Sequence, residues 1–398
     1  MVMATEASGH GERWLGGAVA AGGVIDEERL ASAFEILERE IAGPEAPSAL
    51  LALARREGPI ALRVFGRARW EPSDVPARAD TIYLLASITK PITATALMQQ
   101  VERGKVLLDD PVVKHIPEFG ARGKSRVTVR QLLTHTSGLD EAWVRERRQQ
   151  APEKYDTWEA RVALICEAPL AFVPGTEYAY CNPPFTILAE IVRRHTGLYL
   201  EAYLREHVFG PLGMRDTTFD PRPEQEERVA AVAASTWPAP PPEEGPYGMR
   251  LDALIHSFRR VPEPAGGLWS TAADLIAFGR AYLYGLAGRR YNGTCILAPA
   301  TIQAMIRPQI DGLQQRVNGV LQPAPRRGLG FALPGRAGGM GNDFLSPLAF
   351  GHGGATGTQL IIDPAQDLIL VFLTNRWGWE GRSRTLAINA ALAALSLP

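Results

Sequence analysis

Four consecutive residues, Ser87-Ile88-Thr89-Lys90, place a hydroxyl and an amine one helical turn apart. A serine hydroxyl attacks a carbonyl only when a neighbouring group takes its proton. A lysine three residues on lies on the same helical face and can be that group. The tetrapeptide follows an apolar, strand-like run, Thr81 to Ala86, and opens a helix-like run, Pro91 to Val101. A serine at a helix N-terminus meets free N–H groups and a dipole that favour developing negative charge. Serine before a helix is also a common N-cap, so the rest of the chain has to decide between the two readings.

Two other clusters bear on it. Tyr178-Ala179-Tyr180-Cys181-Asn182 follows the turn signal Pro174-Gly175 and precedes a helical pattern. A phenol held near a cation can be partly deprotonated and act as a base, and an amide two residues on can face the same way. The plainer alternative is a core aromatic at Tyr180 and a helix cap at Asn182. Further on, Gly351-His352-Gly353-Gly354-Ala355-Thr356-Gly357-Thr358 leads into the last strands. Glycines let a ligand approach an edge strand, and N–H groups there can complete an oxyanion hole with that of Ser87. A tight turn between strands is the alternative.

These clusters need a framework to bring them together. Residues 26–42 carry Leu30, Phe34, Leu37 and Ile41 at helical spacing. Strand-like runs follow at 61–65 and 81–85, and the helix after Ser87 ends near Gly104. From about 105 to 260 helical patterns dominate, among them 157–168 and 184–195, the latter closed by Gly197. The stretch Trp237 to Pro246 reads as a loop, as does the Gly/Pro-rich region 322–347. A helix is expected over 271–283, capped by Ser270 or Thr271. Residues 359–362 and 368–373 read as a hairpin around Asp363-Pro364-Ala365-Gln366-Asp367, and 384–395 as a terminal helix. The order implies an α+β fold: an antiparallel sheet flanked by helices and built from both chain ends, with an inserted, mostly helical domain. The expected division is a flexible lead-in over 1–25, a sheet domain over 26–105 and 260–398, and a helical domain over 106–259.

Bulk composition narrows the function classes. The chain has 398 residues, 46% hydrophobic and 21% charged, with 42 basic against 43 acidic side chains and a net charge of −1. That balance gives no reason to expect nucleic acid or an anionic membrane as partner. No apolar run is long enough to span a bilayer, and the N-terminus lacks a basic segment followed by a long apolar one. Cys166, Cys181 and Cys295 make neither a disulfide framework nor a metal spacing. Together these point to the cytoplasm. No Gly-x-Ser-x-Gly, His-Glu-x-x-His or phosphate-binding loop is present, so an α/β-hydrolase elbow, a zinc hydrolase and a nucleotide site are disfavoured. No metal and no cofactor is expected.

Ser-x-x-Lys, then Tyr-x-Asn, then a His-Gly-Gly element near the C-terminus follow the order of one family. The chain resembles the serine β-lactamase and penicillin-binding-protein superfamily, and within it the class C β-lactamase-like branch with family VIII carboxylesterases and D-aminopeptidase-like hydrolases. Framework segments share the resemblance: Gln131 to Leu139 (QLLTHTSGL), Pro174 to Asn182 (PGTEYAYCN) and Pro264 to Asp274 (PAGGLWSTAAD). It runs from about residue 26 to the end. It implies that Ser87 accepts the acyl group, that Lys90 and Tyr180 handle its proton, and that Asn182 binds substrate and helps place Lys90. It implies further that the N–H groups of Ser87 and Ala355 form the oxyanion hole, with Gly353 and Gly354 beside the substrate. His135 reads as structural.

One departure narrows the substrate. His352-Gly353-Gly354 stands where the family often has Lys-Thr-Gly, so a permanent cation becomes a titratable imidazole and a hydroxyl is lost. Both groups would pair with the carboxylate of a β-lactam, whereas a small neutral ester needs them less. Arg376, after the last strand, can partly replace the cation; a surface arginine is the alternative. The expected activity is therefore a carboxylesterase on small esters with weak or no β-lactam turnover. A D-amino-acid peptidase or amidase, a true β-lactamase, and a penicillin-binding sensor that acylates and stalls are the alternatives.

Overall fold

Two strands with no polar face set the centre of the molecule. Ala49–Ala54 and Leu368–Thr374 are buried along their whole length, as expected for strands covered on both sides. They belong to a six-stranded antiparallel sheet in the computed structural model, which describes residues 13–15, 25–42, 47–70, 74–233, 251–335, 340, 343–378 and 382–395. Its strands are β1 (Arg13–Leu15), β2 (Ala49–Ala54), β3 (Pro59–Phe65), β4 (Phe350–Gly353), β5 (Gln359–Asp363) and β6 (Leu368–Thr374), in spatial order β1-β3-β2-β6-β5-β4. The fold is thus α+β with an antiparallel sheet drawn from both chain ends.

Side-chain alternation divides this sheet between two cores. Leu51, Leu53, Ile361, Leu370 and Phe372 pack on one face with α1 (Glu27–Glu40) and the terminal helix Arg382–Ala393. Asp26 caps α1 by accepting from the Arg29 N–H at 3.0 Å, and Leu30, Ala33, Phe34 and Leu37 form its buried stripe. On the other face, Leu50, Ala52, Ile369, Val371 and Leu373 join a larger core that includes α2 (Thr89–Glu102). That helix is buried on nearly every side, so its polar residues need internal partners. Thr93 donates to the Pro264 carbonyl at 2.8 Å and Gln99 to the Ile296 carbonyl at 3.0 Å.

Between Gly104 and Arg260 the described residues are mainly helices and short turns. They include α3 (Glu141–Gln150), α4 (Trp158–Glu167), α5 (Pro183–Thr196) and α6 (Leu251–Arg260). Gly197, at φ 77°, closes α5 in the left-handed conformation expected of a C-terminal glycine. The helix α7 (Ala272–Leu286) is capped by Thr271.

Two sequence expectations change, and one strand goes unmarked in the sequence. The 81–85 run supplies only the pair Tyr83–Leu84, which joins Trp269–Ser270 outside the main sheet. Ala49–Ala54, a continuous apolar run without alternation, is a central strand. Within the stretch read as a lead-in, Arg13–Leu15 pairs with Ala61–Arg63 at the sheet edge; residues 1–12 and 16–24 lie outside the described residues, as does the loop Trp237 to Pro246.

Candidate active site

Ser87 lies in a short 3-10 turn, Ala86–Ile88, that feeds α2. The approach to it is clamped from two sides. The Leu85 N–H donates to the Leu268 carbonyl at 2.8 Å. Thr356 Oγ1 donates to the Leu84 carbonyl at 2.8 Å, and Thr358 Oγ1 to the Leu85 carbonyl at 2.9 Å. Ala86 is held at φ 47°, a left-handed conformation that a residue with a Cβ adopts at a cost. Gly354 closes over this segment. A Cβ there would stand 2.3 Å from the Leu85 carbonyl oxygen and 2.2 Å from Thr358 Oγ1, so only glycine fits. No side-chain cap bond starts α2, which removes the N-cap reading of Ser87.

Lys90 is fully buried, and its Nζ makes three hydrogen bonds: to Ser87 Oγ at 3.0 Å, Asn182 Oδ1 at 2.7 Å and the Ala265 carbonyl at 2.8 Å. Burial pushes its pKa from 10.5 down to about 7, against the pull of the Glu141 and Glu263 carboxylates. Both protonation states are therefore accessible near neutrality. As an ammonium, Lys90 donates to all three partners. As an amine, it keeps two N–H bonds for the acceptor-only oxygens of Asn182 and Ala265. Its lone pair is then left facing the Ser87 hydroxyl.

Tyr180 lies near Ser87, whose hydroxyl favours its ionised form. Burial pushes the phenol up to about 12, partly offset by the nearby Ser87 hydroxyl, so the phenol is held protonated. The residue as a whole is 37% exposed, its hydroxyl end being the enclosed part. Lys90 Nζ lies 4.7 Å from the Tyr180 ring centroid. The His135 ring stacks on that of Tyr180 at 4.5 Å and 26°. His135 is buried and held neutral by desolvation and by the Arg327 charge, and its Nδ1 accepts from the Cys181 N–H at 3.1 Å. It fixes the loop that carries Tyr180, in keeping with a structural role.

Asn182 occupies the position before α5 without capping it. Its Oδ1 accepts from Lys90, and its Nδ2 donates to Glu141 Oε1 at 2.7 Å. Glu141 also accepts from the Asn182 N–H, at 3.2 Å. Glu141 went unnoticed in the sequence, where it is one acidic residue in the first turn of a charged helix, behind the Asp140 cap.

The His-Gly-Gly element forms β4, paired with β5 so that His352 faces Leu360 across the ladder. His352 is 4% exposed and kept neutral by burial first and then by the Arg327 and Lys90 charges. Its Nδ1 contacts the Gly353 carbonyl at 2.7 Å, while its buried Nε2 has no hydrogen-bond partner among the described residues. Ala355 and Ser87 both line an open cleft. From Ser87 it runs between α3, α4 and α6, past Val144, Leu164, Leu254 and Phe258. Trp377, the neighbour of Arg376, lines this cleft. Arg376 pairs through its backbone with Ala233. Arg327, also unmarked in the sequence, lies beside Tyr178 and Tyr180. Among the described residues, no three His, Cys, Asp or Glu side chains converge as metal ligands, and no helix is long and apolar enough to cross a membrane.

The profile of the family described as Beta-lactamase matches residues 35–395. Esterase EstB of Burkholderia gladioli is 30% identical over 372 residues, covering 85% of this chain and 88% of EstB. A putative D-alanyl-D-alanine carboxypeptidase of Escherichia coli K12 is 27% identical over 338 residues, covering 76% of this chain and 70% of that protein. The crystal structure of a penicillin-binding protein homologue from Caulobacter crescentus superposes with a TM-score of 0.74 at 25% identity, covering 94% of this chain and 100% of the homologue. The chain belongs to the Beta-lactamase family, within the serine β-lactamase and penicillin-binding-protein superfamily of serine hydrolases.

Proposed function

We propose that the protein is a carboxylesterase that works through an acyl-enzyme on Ser87. The observation that carries this reading is the 3.0 Å contact between Lys90 Nζ and Ser87 Oγ, made by an amine whose pKa lies near 7. The amine form takes the Ser87 proton as Oγ attacks the ester carbonyl. Negative charge then develops on the carbonyl oxygen, where the N–H groups of Ser87 and Ala355 receive it; one such donor is typically worth roughly 10²–10³ in rate. Tyr180, held protonated beside Ser87, passes a proton to the departing alkoxide, and the same groups activate water for deacylation. Lys90 and Tyr180 share one proton network, so their titrations belong to the pair.

Similarity to EstB over most of both chains supports the ester substrate, and the neutral His352 supports it over a β-lactam. Purified protein is expected to turn over 4-nitrophenyl hexanoate continuously, and Ser87→Ala to reduce the rate to that of buffer. Intact-mass spectrometry of quenched enzyme should show one acyl group on the native chain and none on the variant. Wild-type turnover by Ser87→Ala would overturn the reading. A single burst of acylation without turnover would favour the sensor alternative.

A further inference from the structure

We infer that the cleft beside Ser87 is an acyl-chain slot, and that the preferred substrates are esters of linear, medium-length fatty acids. The inference rests on the esterase reading above and names its substrate class.

Three helices each turn one face to this cleft. On α3 the lining residues are Glu141, Val144, Arg145, Arg148 and Gln149. Their spacing, i, i+3, i+4, i+7 and i+8, is that of a single helix face. At 1.5 Å per residue this face runs for about 12 Å. Leu164 and Ile165 reach the cleft from α4, and Leu254 and Phe258 from α6. These four side chains and Val144 are each 2–6% exposed, so the interior is a narrow apolar slot. Arg145 and Gln149 are exposed and give it a polar rim. Val144, Leu164 and Ile165 belong to the larger core, whereas Leu254 and Phe258 join neither core of the main sheet among the described residues. The apolar stripe of α6 thus serves as a wall of the cleft. Arg161 sets the gap between two walls: from α4 it donates to the Ser257 carbonyl of α6 at 3.2 Å and to the Val261 carbonyl just beyond it at 3.0 Å.

The reacting groups decide which part of an ester enters. Ser87 and Ala355, the oxyanion donors of the esterase reading, line the cleft, so the carbonyl stands at its inner end. That reading places the departing alkoxide at Tyr180. The cleft walls next to Ser87 are instead Asn182, Ala265 and Gly266. Asn182 and Ala265 both accept from Lys90, and a Cβ on Gly266 would stand 3.7 Å from the Ala86 carbonyl carbon. The acyl chain is the part left to occupy the slot. A linear chain suits fixed walls set close together, and each methylene it buries is worth roughly fourfold in binding.

The test measures kcat/KM along two series: 4-nitrophenyl esters from acetate to decanoate, and acetates of linear alcohols from ethyl to octyl. The value is expected to rise at least tenfold from butanoate to octanoate in the first series and to stay within threefold across the second. Leu254→Trp, which fills the slot, should cut the octanoate-to-acetate ratio of the 4-nitrophenyl esters at least tenfold; the ratio cancels any general effect on Ser87. A ratio changed by less than twofold would overturn the slot while leaving Ser87-dependent ester turnover standing. An acyl series that falls from acetate onward, or a rise in the alcohol series as steep as that in the acyl series, would do the same. Loss of the esterase reading would instead appear as hydrolysis indifferent to Ser87→Ala. If Leu254→Trp does not fold by circular dichroism, the two series on native protein decide.

Discussion

The two flanks of Ser87 are built differently. On the Lys90 flank, hydrogen bonds run unbroken from Ser87 through Lys90 and Asn182 to Glu141, and Ala265 takes the remaining lysine donor. On the Tyr180 flank, among the described residues, His352 Nε2 is buried without a partner and Arg327 donates only through its Nε, to Tyr178. The first flank is complete before any substrate arrives, as proton transfer requires of groups that must not reorganise. The second keeps unfilled hydrogen-bonding capacity next to a partly exposed ring. A saturated network is broken by losing any member, whereas an unsaturated one loses little until its ligand is present.

Substitutions can break or sharpen that contrast. The largest effect expected is from Lys90→Met, which removes the hub of the saturated flank; steady-state ester hydrolysis should fall by roughly 10²–10⁴, the usual worth of general base assistance. Asn182→Ala should come next. It deprives Lys90 and Glu141 of one hydrogen bond each; the bond lost by the charged Lys90 is worth about 1.5–3 kcal/mol, so hydrolysis should fall roughly 10- to 100-fold. Across Ser87, His352→Gln should change hydrolysis of a neutral ester by less than about tenfold, because no protein bond to Nε2 is lost. Equal losses at Asn182 and His352 would erase the distinction between the flanks.

The smallest effect is a shift in pH dependence. Lys90 is held at about 7, so the amine fraction and kcat/KM should rise as pH climbs through that value and level off above it. The Glu141 carboxylate raises the Lys90 pKa by stabilising the ammonium. Glu141→Gln keeps an acceptor for Asn182 but removes the charge, so the rising limb should move to lower pH. A pH–rate profile of the variant checks the sign, and a shift to higher pH would exclude Lys90 as the titrating base.

What could be seen in the sequence follows the range of each interaction. Ser87 and Lys90 share one helical turn, and Tyr180 and Asn182 share one loop, so their spacing is meaningful before folding. Glu141 meets Asn182 from 41 residues away and Arg327 meets Tyr178 from 149. In isolation the first is an ordinary helix-start acid and the second one of two adjacent arginines in a Gly/Pro-rich stretch. The same limit applied to the fold. Half-buried and amphipathic elements such as α1 declare their period, whereas Ala49–Ala54 is covered on both faces and carries none.

The clamp on Leu84 and Leu85 has a consequence for when reactivity arises during synthesis. The two carbonyls are tied to Thr356 and Thr358, 272 and 273 residues downstream, and Lys90 depends on Asn182 and Ala265. A ribosome therefore releases the Ser87–Lys90 pair long before anything can orient it, and closure waits on contacts of high sequence separation. Chains halted before β4 should carry the tetrapeptide and remain unlabelled by a serine-directed fluorophosphonate. Labelling would report finished molecules, not the presence of the motif.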